Sequence, residues 1–431
     1  MKFKNLNRQY LTLKPAIDQA VREVLGSQDF ILGEPVRKLE KELAPFTHRR
    51  HCITCASGSD ALLLSLMALN IGPEDAVFLP DFTYIAAASA IQRTGAIPVF
   101  VDIDPVTFNM DPQDLEYQIE RIRQTTRFHP KAVIPTDLFG QPADYGRILP
   151  IAARHGLHVV SDAAQSMGAS FKGQPAGSFG TLAITSFFPA KPLGCYGDGG
   201  AIFTDDDRLA ARLCRLRSHG RAAHSKYLHV QAGLNSRLDT LQAAILRCKL
   251  QAYAPAEQRA LQQAARRYAA GLKGVVQIPA VMPGQISAWA QYTILLYDAN
   301  QRRQVQQALA RNGIPSMVYY PAGLHEQPLF RDLPRPPQGY PRSEWVSQRC
   351  LSLPMDPYIR EAEIDLICRV ITETILGKDS KREAACWNSP VIRTGSKKPA
   401  ASSWPCPPRW TGTGTRTLTV CWKPPGWWAA G

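Results

Sequence analysis

His51-Cys-Ile-Thr-Cys55-Ala-Ser57-Gly58-Ser59-Asp60-Ala61-Leu-Leu-Leu-Ser-Leu-Met-Ala-Leu69 reads as a short strand, a glycine-bearing turn and a helix. The same sequence of elements then repeats. Strand Ala76–Leu79 precedes Pro80-Asp-Phe-Thr-Tyr84 and a small-residue helix through Ile91. Strand Ile97–Asp102, helix Pro112–Arg123, strand Lys131–Pro135, helix Tyr145–His155 and strand Leu157–Val160 continue it. Strands separated by helices of about ten residues indicate βαβ units, hence an α/β fold on a mostly parallel sheet covered on both faces. Ligands on such sheets bind beyond the carboxyl ends of the strands.

Outward from this core, residues 14–25 and 35–45 have the spacing of amphipathic helices, with Pro35 near the first position of the second. On the other side come strand Ala201–Thr204, helix Asp206–Arg217, a stretch rich in His and Arg over 218–224, and a long helix over 237–273 interrupted at Pro255. A smaller α+β unit begins near 280, with strands Trp289–Leu296 and Ser316–Val318 and helices Arg302–Asn312 and Arg360–Leu376. The expected division is a large domain over 1–235, a linking helix over 236–279, a small domain over 280–376 and a tail over 377–431. The tail holds six of the eight tryptophans among Pro, Gly, Ser and Thr without periodicity. Such a segment cannot bury enough apolar surface to offset its ordering entropy, so we expect it to be disordered or an out-of-frame extension.

Composition excludes several classes. No apolar run is long enough to span a bilayer, and the N-terminus lacks a signal-peptide core, which points to the cytoplasm. Half of the net charge of +14 lies beyond residue 377, so the body is only mildly basic and suits anionic small molecules rather than nucleic acid. Ten scattered cysteines make no disulfide framework; Cys52 and Cys55, a lone C-x-x-C, read as core residues of a strand, and no metal site is expected.

Four places carry chemistry. Ser57-Gly58-Ser59-Asp60 can cradle a phosphate, because glycine admits an anion close to the backbone and a helix start offers free N–H groups; a simple N-cap is the alternative. Tyr84 follows a strand and can stack on a planar ring or merely pack. Asp162, closing the run Val159-Val-Ser-Asp162-Ala-Ala-Gln165, can keep a pyridine nitrogen protonated, or cap a helix. Ser186-Phe-Phe-Pro-Ala-Lys191-Pro-Leu-Gly194-Cys-Tyr-Gly197-Asp-Gly199-Gly200 sets one lysine between a buried aromatic run and a glycine run that shapes the return to the sheet. A desolvated lysine loses proton affinity and becomes a nucleophile able to form a Schiff base.

These motifs, in this order, resemble the DegT/DnrJ/EryC1/StrS sugar aminotransferases over about residues 3–376. The resemblance implies the aspartate aminotransferase fold (type I) and pyridoxal 5′-phosphate as cofactor. By it, Gly58 and Ser59 contact the phosphate together with Ser186, Tyr84 stacks on the ring, and Asp162 pairs with the ring nitrogen. Gln165 lies near the ring hydroxyl, and Lys191 forms the covalent link to the cofactor and moves the proton. Gly33 and the helix after it match the N-terminal signature. Gly233-Leu-Asn235-Ser-Arg237 matches a segment whose Asn reaches the partner subunit's cofactor, implying a homodimer with shared sites. Some members have His at the lysine position and are dehydratases; Lys191 implies transamination, with glutamate as donor.

Ser287-Ala-Trp289-Ala-Gln-Tyr292 and the Lys191 segment look most similar to members acting on UDP-2-acetamido-3-keto-hexuronic acids for O-antigen or other lipopolysaccharide and capsule synthesis. Arg237 is then the candidate for the uronate carboxylate, with a structural ion pair as the alternative. The pattern departs at Val318-Tyr319-Tyr320-Pro321, where relatives carry His-Tyr-Pro and where Tyr319 and Tyr320 would meet substrate. The competing readings are a 4-keto-sugar aminotransferase and a cofactor-bound sensor without turnover.

Overall fold

The computed structural model describes residues 1–222, 225 and 227–377, apart from the side chain of Pro255. Seven strands form the main sheet: β1 His51–Cys55, β2 Asp75–Pro80, β3 Ile97–Val101, β4 His129–Val133, β5 His158–Asp162, β6 Leu182–Ser186 and β7 Gly200–Thr204. Their spatial order is β1-β7-β6-β5-β4-β2-β3. Only β7 runs against its neighbours, pairing antiparallel with β1 (Cys55 opposite Gly200) and with β6 (Ser186 opposite Gly200). All other pairings are parallel, as the βαβ pattern requires.

The helices follow from local signals. Asn5 caps α1 (Leu6–Ser27), its side chain accepting from Arg8 N at 3.2 Å. The helix therefore begins well before residue 14, where the amphipathic spacing placed its start, and Pro15 lies inside it. Gly33 caps α2 (Glu34–Phe46), which has Pro35 in its first turn. Helix α3 (Gly58–Ala68) is apolar all round and correspondingly buried, packing with α4 (Ala86–Arg93) over the sheet. Helices α5 (Pro112–Thr125) and α6 (Tyr145–His155) cover the opposite face through Leu115, Ile119, Ile122, Ile148 and Ile151. Helix α7 (Asp207–Leu216) returns to the first face through Ala210, Leu213 and Leu216.

Helices α8 (Thr240–Ala252) and α9 (Gln258–Leu272) were expected to be interrupted at Pro255. They are instead joined without a break by a π-helical turn over Tyr253–Glu257. The widened turn absorbs a residue that cannot donate a backbone hydrogen bond. Beyond it, β8 (Tyr292–Leu295) pairs antiparallel with β9 (Cys350–Leu353), flanked by α10 (Ala299–Arg311) and α12 (Glu361–Leu376). Strand β9 and the short helix α11 (Pro341–Ser347) carry no periodic signal of their own. The expected strand at 316–318 reduces to one bridge, Met317 to Ser352. The tail beyond residue 377 lies outside the described residues. Among the described residues no helix is long and apolar enough to cross a membrane.

Candidate active site

The carboxyl ends of β1, β5 and β6 meet at one place. At the end of β1, Ser57 accepts from Asp60 N at 3.1 Å and caps α3, so the N-cap reading holds. The cap leaves the N–H groups of Gly58 and Ser59, in the first turn of α3, without intrahelical partners. Gly58 is buried and Ser59 exposed. A Cβ on Gly58 would lie 2.6 Å from Ser186 Cβ and 3.0 Å from Ser186 Oγ, so the β6 hydroxyl sits directly against the helix start. Below this contact, a Cβ on Gly200 would meet Ser57 O at 2.4 Å. Gly200 was expected only to shape a turn. It lies in β7 and lets β7 pass beneath the cradle, a role visible only once β1 and β7 are paired.

Asp162 ends β5, buried, with Oδ1 accepting from Ala164 N at 3.0 Å. No helix follows it, so this bond closes a local turn. Burial raises the Asp162 pKa, while the Ala164 N–H and the charge of Lys191 pull it down. Gln165 is buried; its Oε1 accepts from Phe139 N at 2.9 Å, and its side chain lies beside the Tyr320 hydroxyl. Behind the strand lies Asp137, which accepts from Tyr145 OH at 2.8 Å, Ser166 Oγ at 2.6 Å and Ala143 N at 2.9 Å. Burial pushes its carboxyl up to about 7 against those donors.

Lys191 sits in the turn between β6 and β7, its N–H donating to Phe188 O at 2.8 Å. Burial lowers its pKa and the Asp162 charge partly restores it. Its Nζ has no hydrogen-bond or ion-pair partner among the described residues. Hydrogen-bond donors at a helix start, a hydroxyl, a buried carboxylate and an unpaired amine thus converge. That donor set fits the phosphate, ring nitrogen and carbonyl carbon of pyridoxal phosphate. Cys52 and Cys55 are buried core thiols, the latter pushed up to about 12 by burial, and the described residues contain no metal-binding cluster.

The remaining expected residues are placed less uniformly. Tyr84 is 58% exposed on the loop after β2, while Phe82 of the same loop is buried edge-on to the Tyr320 ring at 5.8 Å. Tyr319 packs edge-on against Phe3 at 6.1 Å. Asn235 is exposed and its side chain makes no hydrogen bond among the described residues, although the adjacent Ser236 Oγ accepts from Ala56 N at 3.1 Å beside the cradle. Arg237 is half-buried and makes no ion pair among the described residues.

One supporting pair escaped the sequence reading. Asp81, at the start of the Tyr84 loop, accepts from His325 N at 2.8 Å and faces His325 Nδ1 at 2.7 Å, with neither residue more than 6% exposed. Burial depresses the His325 pKa, but Asp81 and Glu344 outweigh it and lift the imidazole to about 9. The only sequence signal was a lone Asp after a strand, with nothing to indicate a partner 244 positions away.

The sequence matches the DegT/DnrJ/EryC1/StrS aminotransferase family over residues 12–372. A UDP-2-acetamido-2-deoxy-3-oxo-D-glucuronate aminotransferase of Pseudomonas aeruginosa is 44% identical over 374 residues, 86% of this chain and 99% of the relative. A UDP-N-acetyl-3-dehydro-alpha-D-glucosamine 3-aminotransferase of Acidithiobacillus ferrooxidans is 41% identical, covering 86% and 97%. Among solved structures, a DegT/DnrJ/EryC1/StrS aminotransferase from Brucella abortus superposes with a TM-score of 0.85 at 44% identity, covering 87% of this chain and 99% of that one. NtdA from Bacillus subtilis, with the cofactor PMP bound, gives 0.77 at 29% identity, covering 85% and 82%.

Proposed function

The chain belongs to the DegT/DnrJ/EryC1/StrS aminotransferase family, and we propose that it moves an amino group from glutamate to the 3-keto position of a UDP-linked 2-acetamido-hexuronic acid. It is a pyridoxal-phosphate-dependent transaminase of α/β fold. The two relatives named for 3-keto UDP-sugars support the substrate, and the observation that carries the chemistry is Lys191, a half-buried amine that faces the Asp162 carboxylate and has no hydrogen-bond or ion-pair partner among the described residues.

Pyridoxal phosphate supplies the electron sink that stabilises a carbanion next to nitrogen. The chain's residues do the rest. Gly58, Ser59 and Ser186 would hold the phosphate, the first two through N–H groups at the positive end of α3. Asp162 would hold a proton on the ring nitrogen. Gln165, oriented by Phe139 N, would set the ring's tilt beside Tyr320, and Tyr84 would cover its face. Lys191, its proton affinity lowered by burial, would take and return the proton at the substrate carbon.

We read the exposed Asn235 as reaching a partner subunit's site in a homodimer. Phe30, Ile31, Tyr227, Leu228 and Val230 are apolar and exposed. Of these, Ile31 bridges to Asp239 near Asn235, which fits a covered surface. Arg237, without an ion pair among the described residues, is the proposed contact for the uronate. Place of action would be the cytoplasm, in surface-polysaccharide synthesis, with residues 1–235, 236–279 and 280–376 as large domain, linking helix and small domain.

The test is spectroscopic. The cofactor-loaded protein should be yellow, bleach on adding glutamate, and regain colour with a UDP-3-keto-hexuronate. Recovery only with a 4-keto-sugar would reject the substrate, and a protein that binds no pyridoxal phosphate would reject the whole reading.

A further inference from the structure

The turn that carries Lys191 is held by two other lysines. Lys4, in the arm before α1, donates from Nζ to Ala190 O at 2.5 Å, immediately before Lys191. Lys249, in α8 and 2% exposed, donates to Gly194 O at 2.6 Å and lies 4.2 Å from the centre of the Tyr196 ring. Gln242 brackets the same tyrosine, accepting from Tyr196 N at 2.8 Å and donating to its carbonyl at 3.3 Å. Neither lysine has a carboxylate within 4.0 Å among the described residues. Lys249 is a buried ammonium with one carbonyl and one aromatic face as partners, and Lys4 is a half-buried one with a carbonyl, and withdrawing such charges from water is costly.

Lys4 is also placed firmly. Asn5 N donates to the buried Asp356 at 3.2 Å, and Met355 N donates to Phe3 O at 3.3 Å, so the arm is pinned on both sides of Lys4. Lys4 and Lys191 line one cavity, together with Glu257, Asp356, Tyr253 and Tyr358. The charged groups facing Lys4 are Asp356 and Glu257, which favour its proton, and Lys191 and Lys249, which oppose it. Lys191 faces Asp162 and lines the same cavity as Lys4, whose proton its charge opposes.

We propose that Lys4 is a positioning residue for Lys191, fixing the Ala190 carbonyl and setting a second positive charge in the cavity so that Lys191 stands as the free amine. The two carboxylates beside Lys4 decide which lysine keeps the proton. Among the described residues Lys191 has Asp162 alone, and on the functional reading above that carboxylate is committed to the ring nitrogen once cofactor binds. Two ammonium groups in one poorly solvated cavity disfavour each other, so the less supported one is left neutral.

This inference rests on Lys191 being the cofactor lysine, and the test separates the two. Competitive acetylation of the full chain without cofactor, read by mass spectrometry on the Lys191 peptide across pH 6–11, reports the Lys191 midpoint directly. Lys4→Met should raise that midpoint by about half a unit or more, whereas Lys4→Arg, which keeps the charge, should leave it in place. Lys4→Gln gives a second neutral variant should the methionine perturb folding, which thermal melts reveal. Unchanged midpoints in both neutral variants overturn the proposal, as does an equal shift in Lys4→Arg, which would make the role one of packing alone. Lys191→Arg is scored separately: retained covalent cofactor in that variant removes the underlying functional reading without touching the acetylation result.

Discussion

Replacing Gly58 with alanine tests the cradle at its tightest point. The new Cβ would lie 2.6 Å from Ser186 Cβ, 3.0 Å from Ser186 Oγ and 3.2 Å from Ser186 Cα. The first of these is closer than carbon atoms tolerate, and it involves a residue fixed in β6 opposite Gly200, so no flexible side-chain tip can swing away. Overpacking of this kind costs about 1–3 kcal/mol. If Ser186 moves to relieve the clash, its hydroxyl leaves the phosphate position and the cost falls on the cofactor-bound state. Affinity for pyridoxal phosphate should then drop about 5- to 150-fold.

Fluorescence titration of cofactor into the apo protein measures this, with thermal melts run alongside. Gly26→Ala is the matched control: a Cβ there meets nothing within 4 Å, so replacing this glycine in the last turn of α1 should stabilise by at most about 0.5 kcal/mol without altering affinity. A Gly58→Ala/Ser186→Gly double variant removes both nearest atoms and should recover the stability of the parent while binding cofactor weakly. A Gly58→Ala protein with parental affinity and parental melting temperature would refute the reasoning.

Asp162→Asn, which removes the anion from the ring nitrogen, should lower kcat by roughly 10²–10³-fold, measured in single turnovers with glutamate. The His325–Asp81 pair predicts a pH effect. Because the folded pKa of about 9 exceeds the unfolded value, the stabilisation is complete below about 6.5 and is lost as pH rises through 9. Melting temperature should therefore fall between pH 7 and 10 in the parent and fall less in His325→Gln. Mixing inactive Lys191→Ala with inactive Asn235→Ala and exchanging subunits should restore about a quarter of parental activity if sites are shared, and none if each subunit is self-sufficient. Arg237→Ala should weaken UDP-hexuronates far more than neutral keto-sugars in competition kinetics; equal losses would reject its carboxylate role.

Local chemistry in the sequence was enough to recover most elements of the large sheet and the order of its motifs. Hydrophobic runs bounded by Gly, Pro and capping residues act over a few positions, so His51–Cys55 and Tyr145–His155 are found where the pattern puts them. Ser57-Gly58 and Asp162 were legible for the same reason, since each lies at a strand end that the pattern marks, and Lys191 was legible because it stands between an aromatic run and a glycine run. Elements made by partners were not. Strand β9 exists because β8 lies beside it, and the π turn at Tyr253–Glu257 exists because α8 and α9 continue through Pro255 rather than stopping.

The site itself divides along the same line. Sequence alone determined which groups are available: a helix start with free N–H groups, a carboxylate closing an apolar strand and a lysine in a turn. Tertiary structure decided how close they come. The antiparallel insertion of β7 between β1 and β6 sets Gly200 under Ser57 and Ser186 against Gly58. The arm before α1 reaches Ala190, and Asp81 finds His325. Such contacts join positions too far apart for any periodicity to register. They depend on the chain closing long loops, whose entropic cost is repaid only when many distant surfaces are buried together.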